Sequence, residues 1–300
     1  MRRRLRCVAA AAVASWLLTG TPASAQLAEP NAAGVAMGHL HYRVKDVAAN
    51  AAFWVALGGR AAAAGGETRV VLPGVVVVLT AGESSGGTEG SVLNHVAFRV
   101  PSFAQVEAAG LKVTPTPGFP GVGATSTPEG ERIELFEDAA TNLGFTPDAG
   151  PLSSDDAARV ARHGRPVPVR VQFHHMHLYV PAGQVERAKA WYAQVFGGVP
   201  GKRSNYDAVD LPGVNLNFSS VADRVRPGQP VPTPAATRGR MLDHVGFEVR
   251  NLEATRRRLE SLGVHFDQRE ARDPATGAEV ARFTDPWGVS IELTEGFAAR

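Results

Sequence analysis

Seven of the nine histidines in this 300-residue chain fall in four short segments: GHLHYRV at 38–44, NHVAFRV at 94–100, HHMHLYV at 174–180 and DHVGFEV at 243–249. In each, one histidine (His39, His95, His175, His244) stands five residues before a valine, with apolar residues at alternate positions between. Two further segments, RIELF at 132–136 and VSIELTE at 289–295, carry single carboxylates, Glu134 and Glu292, in the same alternating setting. Neutral imidazole and carboxylate are ligands for divalent metals, and imidazole also exchanges protons near neutral pH. The sequence therefore offers metal chemistry, proton transfer, or both.

Alternation predicts strands and says where the side chains point, because residues i and i+2 share a face. Val96, Phe98 and Val100 oppose His95, Ala97 and Arg99. Val245, Phe247 and Val249 oppose His244, Gly246 and Glu248. Met176, Leu178 and Val180 oppose His175, His177 and Tyr179. The apolar face should pack under helices and leave the histidine face over an open cleft, as expected of antiparallel or mixed sheets with helices on one side. His41 and His177 share the face of His39 and His175, as neighbours of a metal site or as proton-transfer groups. His174 lies on the other face or at the strand's edge and receives no role.

The elements that would hold these residues repeat. Residues 58–72 and 197–211 both run from Gly-Gly to Leu-Pro-Gly with the same spacing, after aromatic, helix-like segments AAFWVALGG and KAWYAQVFGG. NHVAFRVPSF followed by AAGLKV matches DHVGFEVRNL followed by SLGVHF. Such self-similarity marks duplicated structural units. Four units, each strand, helix, then two or three strands, are expected at 38–80, 93–138, 173–220 and 242–295. Taken in chain order they give an α+β protein of two domains, residues 36–138 and 173–296, joined by a Pro/Gly-rich linker at 139–172 with a short helix near Ser154–His163. Each domain would then gather one ligand set: His39, His95 and Glu134, or His175, His244 and Glu292. Trp54, Trp191, Tyr192 and Phe196 are expected in the helix cores, and Trp287 as a loop anchor.

Residues 1–25, MRRRLRCVAAAAVASWLLTGTPASA, have the basic start, short apolar middle and A-S-A close of a secretory signal, with Sec and twin-arginine routes both open. A periplasmic or secreted protein is expected. The signal holds four arginines and no acid, so its removal takes Lys+Arg from 31 to 27 against 29 Asp+Glu. The net charge passes from +2 to −2, no basic patch for nucleic acid remains, and no later segment is a membrane span. The one cysteine, Cys7, leaves with the signal, so neither disulfides nor thiolate chemistry is expected of the mature protein.

The four-unit βαβββ layout, the NHVAFRV and DHVGFEV starts and the DPWGVSIEL ending together resemble the vicinal oxygen chelate superfamily. That superfamily contains glyoxalase I, bleomycin-binding proteins, fosfomycin-modifying enzymes and extradiol dioxygenases. The resemblance covers nearly all of 38–295, and its D-P-x-G-x-x-I-E-L motif is intact from Asp285 to Leu293, whereas the matching stretch of unit two reads TPEGERIEL. It implies paired units forming glyoxalase-like incomplete barrels around a divalent metal ion (Fe2+, Mn2+, Zn2+ or Ni2+) held by His39, His95 and Glu134 or by His175, His244 and Glu292. The C-terminal set is expected to be the better site, because it has the intact motif and the polar neighbours His177, Tyr179, Asn215 and Asn217. Glyoxalase I-like sites resemble these but use a second glutamate, where this chain has Val78 and Asn217. Two histidines and one carboxylate leave metal positions open to oxygen donors. The function expected is thus an exported metalloenzyme, dioxygenase-like or lyase/isomerase-like, acting on a small oxygen-containing substrate, aromatic ones included. The alternative is a non-catalytic small-molecule-binding protein of the bleomycin-resistance kind.

Overall fold

The alternating segments are realised as strands in a computed structural model that describes residues 27–64, 67–272 and 277–297. The expected signal, residues 1–25, lies outside the described residues. Unit one comprises β1 (Val35–Val44), α1 (Val47–Leu57), β2 (Arg60–Ala64), β3 (Glu67–Leu72) and β4 (Val75–Ala81). Unit two follows with β5 (Leu93–Val100), α2 (Phe103–Ala108), β6 (Thr114–Pro115), β7 (Val122–Ser126) and β8 (Arg132–Glu137). The connection between the halves holds β9 (Phe145–Pro147) and α3 (Ser154–Val160), the latter where a short helix was expected. Unit three comprises β10 (Gln172–Val180), α4 (Val185–Phe196), β11 (Val199–Arg203), β12 (Tyr206–Leu211) and β13 (Val214–Ser220). Unit four comprises β14 (Leu242–Val249), α5 (Leu252–Ser261), β15 (Phe266–Arg272), β16 (Glu279–Thr284) and β17 (Ser290–Glu295). Local chemistry sets the helix ends. Asp46 and Asn251 cap α1 and α5 by accepting from Ala49 N (2.9 Å) and Ala254 N (2.7 Å). Gly197 closes α4 in the left-handed region at φ 64°, which suits glycine.

The units pair differently from chain order. The eight-stranded sheet runs β15-β16-β17-β14-β1-β4-β3-β2, joining units four and one. The nine-stranded sheet runs β6-β7-β8-β5-β10-β13-β12-β11-β9, joining units two and three. The expectation that 39–44 and 95–100 share a sheet is therefore corrected. The physical reason is that strand parity fixes which face a side chain occupies but not which strand lies beside it. The strand seams themselves are antiparallel, with His41 opposite His244 in β1/β14 and His177 opposite His95 in β10/β5.

Chain neighbours meet instead through their apolar faces. Trp54 of α1 lies 5.6 Å from the Phe98 ring of β5, and Phe196 of α4 stacks on Phe247 of β14 at 4.4 Å. Tyr192 Oη donates to Asp285 Oδ2 at 2.7 Å. One apolar core thus takes in residues of both sheets and of the expected core aromatics Trp54, Tyr192 and Phe196, with Trp191 and Trp287 packed against it. The helices fill the space between the sheets, and the histidine faces look the other way.

Candidate metal centres

In the nine-stranded sheet, β5 supplies His95, β8 Glu134, and β10 His175 and His177. The Nε2 atoms of His95 and His175 lie 3.3 and 3.4 Å from the same oxygen, Glu134 Oε2. Neither Nε2 has a hydrogen-bond partner among the described residues, although both histidines are buried. The approaches are close but not aligned as hydrogen bonds. Two buried, unpaired imidazole nitrogens beside one carboxylate oxygen are what a divalent ion would satisfy and what a merely structural core avoids. His95 Nδ1 contacts Asn94 Oδ1 at 3.0 Å and His175 Nδ1 contacts His174 Nδ1 at 2.9 Å. These outer contacts hold each ring so that Nε2 faces inward.

Charge follows from the same burial. Burial, then the charge of Arg203, lowers the pKa of His175 to about 3, outweighing Glu134. Burial lowers His95 and His177 as well. Glu134 is held well below the usual carboxylate range: burial opposes ionisation, but its contacts with His175 and His95 prevail. Neutral imidazoles facing an ionised carboxylate are the protonation states that bind metal. His177 Nε2 meets Ser219 Oγ at 2.8 Å and its ring stacks on Tyr179 at 4.8 Å.

The eight-stranded sheet repeats the arrangement with changes. His39 Nε2 lies 3.5 Å from Glu292 Oε1, and His244 Nε2 lies 3.8 Å from Glu292 Oε2. Asp243 Oδ1 holds His244 Nδ1 at 2.8 Å, as Asn94 holds His95, and His41 Nε2 meets Thr80 Oγ1 at 3.0 Å, as His177 meets Ser219. However, Arg282 Nε donates to Glu292 Oε2 at 2.5 Å, so the guanidinium occupies the oxygen that its counterpart leaves to the histidines. Glu134 instead turns its other oxygen to Arg132, at 2.6 Å. Phe297 stacks on His39 at 4.6 Å, leaving a cavity of about 10 Å³ lined also by His41, Val78 and Arg282. That space admits one water or ion and no organic substrate. Burial, then the His244 charge, lowers the pKa of His41 to about 3, which makes it a weak base at neutral pH.

The ligand types proposed from sequence are all present on cleft faces, but the sets are regrouped. His39 and His244 join Glu292, and His95 and His175 join Glu134. Neither His39–His95–Glu134 nor His175–His244–Glu292 is assembled, because β1 and β5, like β10 and β14, lie in different sheets. The polar neighbours Tyr179, Asn215 and Asn217 therefore serve Glu134, while the intact Asp285–Leu293 motif stands with Val76 and Val78.

Known proteins share this fold. The model of the Glyoxalase/Bleomycin resistance protein/Dioxygenase superfamily matches residues 172–293. The resemblance to the vicinal oxygen chelate superfamily holds. Among solved structures, glyoxalase I from Zea mays is similar at 16% identity over 88% of this chain and 94% of that one, with a TM-score of 0.56. A candidate dioxygenase from Bacillus subtilis is similar at 13% identity over 91% and 88%, with a TM-score of 0.57. At these identities the likeness is one of fold, and the same fold hosts many chemistries. No curated protein matches the chain.

Sequence reasoning passed over three residues of these sites. Asn94 and Asp243 precede His95 and His244, and an acceptor directly before a ligand histidine was a readable signal. Arg203, buried at 1% exposure, donates through Nε to Asn217 Oδ1 at 3.2 Å, and only the fold shows that it belongs to the cleft.

Proposed function

We propose that the chain is a metal-dependent enzyme of the vicinal oxygen chelate type, working in the cleft of the nine-stranded sheet. The observation that carries this reading is the convergence of the unpartnered Nε2 atoms of His95 and His175 on Glu134 Oε2. The substrate class is a small oxygen donor, and the divalent ion (Fe2+, Mn2+, Zn2+ or Ni2+) would act as a Lewis acid and template. His95, His175 and Glu134 would hold it. His177, neutral and fixed by Ser219, orients a neighbouring oxygen by hydrogen bonding. The His39–His244–Glu292 centre, closed by Arg282 and Phe297, is the lesser site. Export through the expected signal, residues 1–25, belongs to the same proposal and is checked by whether the mature N-terminus begins near Gln26.

Elemental analysis of the purified protein tests the metal reading. Glu134→Gln keeps the side-chain shape but removes the anionic ligand, and should lose most of the bound metal, whereas Glu292→Gln should lose little. Equal metal in wild type and Glu134→Gln would overturn the reading.

A further inference from the structure

The cleft around Glu134 holds more positive than negative charge. Arg132, Arg203 and Arg224 border it, while the nearby buried Asp210 is already taken up by Arg159 and His163: Arg132 binds the carboxylate of Glu134, and Arg224 donates to Tyr179 Oη, at 2.9 Å from Nε. Arg203 is the telling member. It is 1% exposed, and its hydrogen bonds go to neutral oxygens, Asn217 Oδ1 and Asn142 O, both at 3.2 Å. No carboxylate pairs with it among the described residues. Its guanidinium lies 5.2 Å from the Phe136 ring, a stacking contact that stabilises but does not neutralise. Burial lowers its pKa only to about 10, so it stays charged. The other centre is balanced, with Arg69 and Arg282 beside Glu67 and Glu292. At the repeat position matching Arg203 the chain has Ala64.

A buried cation without a contacting anion is expensive, and an anionic ligand that pairs with it would offset that cost. We propose that this cleft takes a small carboxylate-bearing oxygen ligand whose negative group is met by Arg203. The inference rests on the reading above for placing the ligand's second oxygen near the histidines. Asn217 Nδ2, buried and without a partner among the described residues, offers a further donor beside Arg203. A guanidinium fork matches a carboxylate in geometry as well as charge.

Lactate and lactamide have nearly the same shape and differ in charge, so they test the claim. Calorimetric titration of the purified protein should show lactate binding at least about tenfold more tightly than lactamide, the size of a charge-assisted hydrogen bond. Arg203→Gln should remove that preference, and Arg203→Lys, which keeps the charge but not the fork, should keep part of it. Equal binding of the two probes by wild type, or an unchanged preference in a folded Arg203→Gln protein, overturns the inference. If Arg203→Gln does not fold, the wild-type ratio and the Lys variant decide. Metal content measured on the same samples separates the two proposals: metal-free protein that still prefers lactate through Arg203 keeps this one and removes the metal reading.

Discussion

At the scale of single residues, the first histidine of HHMH, His174, acquires a purpose. If His175 offers Nε2 to a metal in the cleft, its proton sits on Nδ1 and is donated to His174 Nδ1, 2.9 Å away. His174 thereby fixes the ring and tautomer of its neighbour, as outer partners of metal-binding histidines do. The other repeat has Gly38 before His39, which carries no side chain to play this part, and a Cβ there would press on Glu248 N and Gly246 O at 3.0 Å. His174→Leu should weaken metal binding by roughly 10–100-fold, while nitrogen NMR of the metal-free protein should show His175 losing its fixed tautomer. Unchanged affinity and tautomer would mean that His174 only fills space. A second residue separates the centres. His39 faces Gly246 across the β1/β14 seam, where His175 faces Ala97 across β10/β5. A Cβ on Gly246 would come within 2.0 Å of the His39 ring. Gly246→Ala should therefore displace His39, visible in its NMR signals, and leave metal bound at Glu134 unaffected.

At the scale of elements, strand faces were legible because a period of two is read directly from the residues. His39, His95, His175, His244, Glu134 and Glu292 were all found on cleft faces for that reason. Their grouping was not legible, since four strand starts of near-identical pattern are interchangeable partners. The D-P-W-G turn shows what local sequence does fix. Asp285 Oδ1 accepts from Trp287 N at 2.9 Å and Val289 N at 2.7 Å, which shapes the entry to β17 and so the placement of Glu292. Burial raises the pKa of Asp285 from 3.8 to about 6, against the hydrogen bonds from Tyr192 and the turn amides. A carboxyl that holds its proton more tightly when folded stabilises the fold most below its unfolded pKa. That contribution is lost as pH rises from 3.8 towards 6, by an amount on the order of 3 kcal/mol. Asp285→Asn cannot ionise, so its stability relative to wild type should climb across this window in thermal melts taken at a series of pH values. The buried histidines titrate alike in both proteins and drop out of the difference. A flat difference would show that Asp285 is already ionised in the acid range.

At the scale of the whole molecule, the chain visits the two sheets in the order eight-stranded, nine-stranded, nine-stranded, eight-stranded, so each connection either crosses the shared core or stays within a sheet. Two domains drawn along the sequence would unfold separately, whereas two sheets clasping one core should not. Trp54 decides between these pictures because it is fully buried on α1 of one sheet and packs on Phe98 of the other. Trp54→Ala removes a large side chain from a core that cannot close over the space, at a cost of about 3–5 kcal/mol. In a protein of this size that lowers the melting midpoint by roughly 10 °C. The whole transition, followed by calorimetry and by near-UV circular dichroism, should move as one. A split melt, with one half of the heat unshifted, would mean that the sheets are independent and that the core between them is only a contact surface. A single shifted transition would instead make the apolar faces, rather than the histidine seams, the joint that unites all four units.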